Sequence, residues 1–155
     1  MCNLLFAGAA AIAAGILLAQ PAETLRLTNT DRGSVTELRI PGGGRFSVTY
    51  WHSMYGVPVT EEFAVGEDGA LVLTTLRSPS RAALEYFGVS AAGNVHSRYA
   101  RLPTVTMRIA MGEEQRLLVG DCEYSFLEFG EHGDRLILEH RRMHALRPQT
   151  GVASE

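Results

Sequence analysis

The run YWHSMYGVPVTEEF, residues 50–63, places an imidazole and a carboxylate, His52 and Glu61, inside two otherwise apolar stretches. A carboxylate that orients an imidazole makes a general acid or base, or a polar pair that grips a ligand or partner group. Ser53 follows His52 directly, but neighbouring residues of a strand point to opposite faces. The sequence therefore does not assemble a Ser–His nucleophile. Tyr55 and Pro58 lie between the two polar residues and complete the candidate set of His52, Ser53, Tyr55, Pro58 and Glu61. No nucleophile with its own base and oxyanion donors can be built from this set, so a binding role is favoured over catalysis.

The elements that must position these side chains are two strands of a hairpin. Phe46, Val48, Tyr50 and His52 share one face by period-two alternation, as do Val59, Glu61, Phe63 and Val65. Matching the apolar faces sets Val48 opposite Val65, Tyr50 opposite Phe63 and His52 opposite Glu61. Residues 54–59 then close the loop around Pro58. Directly opposed residues have Cβ atoms about 4.5–5.5 Å apart, close enough for an imidazole–carboxylate hydrogen bond. Three roles are open for such a pair at the mouth of a core. It locks the hairpin register, it contacts a partner or a small polar ligand, or it acts as an acid–base couple.

The rest of the chain consists of short alternating runs between glycine-rich turns: TLRLTN, RFSVTYW, TEEFAV, ALVLTTL, TVTMRIA, YSFLEF and RLILEH. This spacing predicts an all-β fold, a small antiparallel sandwich or barrel. Only SRAALEYF, residues 80–87, reads as a short helix, and residues 88–103 read as a long connection. Three regions follow: residues 1–22 as an export signal or short membrane anchor, 23–147 as the all-β domain, and 148–155 as a polar tail. The first contains a sixteen-residue apolar run, LLFAGAAAIAAGILLA, which is expected to be helical. It has the length of a secretory core and is short for a spanning helix. The expected location is outside the cytoplasm, periplasmic or held at the outer face of the membrane.

Other groups are weaker. His140 and His144 are expected as exposed histidines near the C-terminus, and Arg98 and Arg101 as solvated residues flanking Tyr99 in a loop. Trp51, Tyr55, Tyr86 and Phe87 could line a pocket. Cys122 reads as a small, partly buried thiol without a disulfide, because Cys2 precedes the apolar leader. Nothing in the sequence calls for a metal or a cofactor. All fourteen basic residues are arginines scattered along a chain of net charge −3, which argues against nucleic acid as a partner.

The pattern YWHSMYGVPVTE, with His52, Ser53, Pro58 and Glu61, followed by FAVGEDGALVL, resembles the bacterial domain of unknown function 1850 family. The resemblance extends over about residues 25–142, including FLEFGEHGDRLILEHRR, and is specific in the hairpin. The family's glycine-rich motif after the next strand is replaced here by Arg81-Ala82-Ala83-Leu84. The resemblance implies an accessory protein associated with tripartite solute transporters. Its partners would be transporter subunits or their extracytoplasmic binding protein, with no established activity.

Overall fold

The computed structural model describes residues 22–89, 94–111 and 115–143. Residues 1–21 of the leader and the whole tail lie outside them, while Ala22 already belongs to the first strand. Among the described residues ten strands form two antiparallel sheets. They are β1 (Ala22–Asn29), β2 (Ser34–Arg39), β3 (Arg45–His52), β4 (Val57–Val65) and β5 (Leu71–Arg77), then β6 (Val95–Leu102), β7 (Val105–Arg108), β8 (Arg116–Val119), β9 (Cys122–Ser125) and β10 (Arg135–Met143). One sheet has the order β2-β1-β10-β7 and the other β6-β5-β4-β3-β8-β9. Neither closes on itself, so of the two expected architectures the open sandwich is the one adopted.

Alternation explains the layers. Leu25 and Leu27 on β1, and Leu136 and Leu138 on β10, point inward from the small sheet. Phe46 and Val48 on β3, Phe63 on β4 and Leu117 on β8 point inward from the large one, and all eight join a single buried cluster. Phe46 and Phe63 are a directly opposed pair with stacked rings, centroids 5.0 Å apart.

Residues 81–86 form the expected helix, α1 (Arg81–Tyr86). Ser80 caps it by accepting the Ala83 N–H, and Arg81 and Glu85 pair one turn apart. Gly88, with φ +76°, ends it, its N–H bonding the Glu85 carbonyl. Ala83 and Leu84 are buried against Val59 of β4 and Leu76 of β5, forming a second small core beyond the main one.

Several expectations change. Residues 95–102, expected in a connection, form the edge strand β6, in which His96 is the one buried side chain among those described. Backbone pairing to β5 holds β6 where its apolar pattern is too thin to announce it. The strand expected across YSFLEF stops at Ser125, and residues 126–128 turn into a 3-10 helix closed by a Ser125–Glu128 capping box. Cys122 is the first residue of β9 and is partly buried. His140 is not exposed: its side chain is only 5% accessible, and its Nε2 meets the Glu23 carboxylate. Burial works to raise the pKa of Glu23, but the bonds from His140 and Arg142 outweigh it and hold Glu23 below the ordinary value. His144 lies outside the described residues. Arg101 is paired with Asp68, and Tyr99 is exposed.

A polar clasp joins the β1–β2 turn to the start of β10. Buried Asn29 donates to the Phe129 carbonyl and the Asp134 carboxylate, and accepts from the N–H groups of Asp31 and Arg32. The Glu131 N–H, Asn29 and Arg32 hold the Asp134 pKa down to about 2. A depressed carboxylate contributes its stabilisation above the unfolded-chain value, 3.8, and loses it as pH falls through the folded value. Acid titration of stability should therefore show a loss from about pH 4 toward pH 2 that is smaller in Asp134→Asn. Equal acid limbs would show that the clasp is not a pH-dependent element.

Candidate functional site

The site is built where β3 runs into its turn. The chain reverses over residues 53–56, with Tyr55 and Gly56 both donating their N–H groups to the His52 carbonyl. Gly56 has φ +59°, a left-handed conformation that glycine adopts without strain. This turn sets a register different from the expected one. Phe46 faces Phe63, Val48 faces Glu61, Tyr50 faces Val59 and His52 faces Val57. His52 and Glu61 do share the core face, as parity demands, but they stand four residues apart along it. At about 3.3 Å per residue that is about 13 Å, so they do not pair. Apolar matching could not settle this, because any slip by an even number of residues keeps every side chain on its own face.

Glu61 finds a different partner. The Tyr50 hydroxyl donates to its Oε1 at 2.8 Å, a diagonal cross-strand contact within reach of a long aromatic side chain. Burial pushes the Tyr50 pKa well above its ordinary value, and the Glu61 carboxylate pushes it further. A raised phenol contributes its full stabilisation below the unfolded-chain value of 10.0 and loses it as pH rises toward the folded value. Tyr50→Phe should thus cost about 1–1.5 kcal/mol at pH 7 and flatten the fall in stability above pH 10. Denaturant curves at pH 7 and pH 11 test both; a variant as stable as the parent at pH 7 contradicts the bond.

His52 is instead enclosed by rings. Its centroid lies 5.0 Å from Tyr55, 5.2 Å from Tyr86 and 5.7 Å from Phe87, the last two edge-on. Tyr55 comes from the hairpin turn, while Tyr86 and Phe87 come from the end of α1, so Leu84 on the sheet decides where two of the three rings stand. His52 Nδ1 is buried and makes no hydrogen bond among the described residues. A buried polar atom without a partner is costly, about 1–3 kcal/mol, and in a native structure needs a reason. Around this centre the surface is apolar and open, with Met54 at the tip of the turn 68% exposed and Tyr86 60% exposed.

Of the five candidate residues, the structure brings His52 and Tyr55 into contact and separates the other three from them. Ser53 is exposed in the turn. Glu61 lies deeper, on Tyr50. Pro58 is on the outer face opposite Trp51, outside the part of β4 that pairs with β5, where a missing N–H is tolerated. Tyr86 and Phe87 join His52, whereas Trp51 points away from it. The role of Tyr50 was hidden because it reads as one more apolar inward residue; the diagonal offset follows only from the true register.

Nδ1 has almost no accessible surface, so a group could hydrogen-bond to it only if the surrounding rings moved apart. Among the described residues no group of three or more His, Cys, Asp and Glu side chains could hold a metal ion. No helix among them is long and apolar enough to cross a membrane. No family model, curated protein or solved structure matches the chain.

Proposed function

We propose that the protein is an exported accessory module of the domain of unknown function 1850 kind. It contacts the extracytoplasmic part of a tripartite-type solute transporter through the end of the domain formed by the β3–β4 turn and α1. The observation that carries this reading is the unpartnered Nδ1 of His52, enclosed by rings and rimmed by the exposed Met54 and Tyr86. An incoming partner would complete the missing hydrogen bond and cover the apolar rim, the pattern of a small interface centre. The sixteen-residue apolar leader and the hairpin resemblance supply the location and the class of partner.

Co-purification from native membranes tests it, with the full chain as bait and Met54→Asp as the control. Recovery of transporter subunits by the parent alone supports the reading. Equal recovery by both removes this end of the domain as the contact, and recovery by neither removes the transporter as the partner. If only small polar solutes stabilise the parent, the site is a ligand pocket instead.

A further inference from the structure

The outer face of the large sheet carries a second, separate arrangement. Residues of opposite parity to the core set stand on it in rows across four strands. One row holds Arg116, Thr49, Thr60 and Arg77, and the next holds Leu118, Ser47, Glu62 and Thr75. Trp51 and Pro58 form a third row above them. The Thr49 and Thr60 hydroxyls bond each other at 2.9 Å, and Arg77 Nε meets Glu62 Oε1 at 2.6 Å. Hydrogen bonds from Arg77 and Thr75 hold the Glu62 carboxyl below its usual value, so it is a charged acceptor.

Two shallow clefts flank this centre. One, about 280 Å³, is bounded by Arg45, Ser47, Glu62 and Thr74, and the other, about 250 Å³, by Pro58, Thr60, Arg77 and Asn94. Trp51, the one tryptophan in the chain, is 43% exposed at the end of the rows.

We infer that this face binds a saccharide. An exposed indole offers an apolar surface to the C–H side of a sugar ring. A carboxylate beside a guanidinium offers acceptors and donors in the spacing of adjacent hydroxyls. Strands about 4.8 Å apart and rows about 6.6 Å apart give a patch about 14 Å by 13 Å, the footprint of two or three sugar units. A protein partner fits this face poorly, because interface centres are apolar and poor in charge, whereas the centre here is hydroxyls and an ion pair. A polyanion fits poorly too, since Glu62 and Glu123 oppose the arginines of the face.

The single tryptophan makes the test direct. The full chain is titrated with cellohexaose, chitohexaose and maltohexaose while Trp51 emission is followed. The expected result is a saturable change with at least one of the three. The affinity should be weakened at least tenfold in Glu62→Gln and in Arg77→Ala, each checked for cooperative unfolding, and unchanged in Thr106→Asp on the other sheet. No response to any of the three at millimolar concentration overturns the inference. Binding that survives both Glu62→Gln and Arg77→Ala overturns it as well.

Discussion

A His52→Phe variant will be about 1 kcal/mol more stable than the parent and, on the proposed reading, will bind the transporter subunit about thirtyfold more weakly. Phenylalanine keeps a ring between Tyr55, Tyr86 and Phe87 and removes the buried nitrogen that makes no hydrogen bond. The gain is the desolvation cost no longer incurred, taken at the low end of the range because the residue is only half-buried. The thirtyfold loss corresponds to ~2 kcal/mol, one hydrogen bond made in the complex and missing in the variant. A residue retained at a cost to the free protein and needed in the complex is the signature of a functional position. Urea unfolding and surface-immobilised binding measure the two halves. A variant that is less stable and binds normally would make His52 an ordinary packing residue.

Leu84→Ala will destabilise the protein by about 2–5 kcal/mol, the usual cost of truncating a buried leucine. Leu84 is almost fully buried in one cluster with Val59, Leu76 and Ala83, the core that holds a six-residue helix to the sheet. A helix this short has no independent stability, so α1 will leave the sheet in a fraction of molecules before the sandwich unfolds. Tyr86 and Phe87 will leave with it, and the ring-current shifts of the His52 protons will collapse toward ordinary values. Chemical denaturation gives the first number and proton NMR the second. Unchanged His52 shifts in a clearly destabilised variant would show that the aromatic enclosure does not depend on the seating of α1.

The contrast between these two variants shows what the sequence could reveal. Parity along β3 and β4 put His52, Tyr50 and Glu61 on the core face, and the structure keeps them there. Register was not legible, because even-numbered slips preserve faces and the decision belongs to Gly56 and the turn it closes. With the register went the partner of Glu61, which is Tyr50 and not His52. The enclosure of His52 needed a second element: α1 was visible as SRAALEYF, but nothing local says that it lands beside the β3–β4 turn. Edge strands were the hardest part of the fold. β2 turns only Leu38 partly inward besides polar residues, and β6 is held by pairing with β5 more than by an apolar stripe. The sandwich itself was legible in the alternating runs that became β1, β3, β4, β5, β7 and β10.

The central claim is that the β3–β4 turn and α1 meet a transporter subunit. Its most direct test is site-specific photo-cross-linking in native membranes, with a photoreactive residue at Met54 and, separately, at the exposed Thr106 of β7 on the other sheet. The account predicts a cross-link to a transporter membrane or binding-protein subunit from position 54 and none from position 106. Cross-links from position 106 alone, or none from either with the protein present at native level, would contradict it.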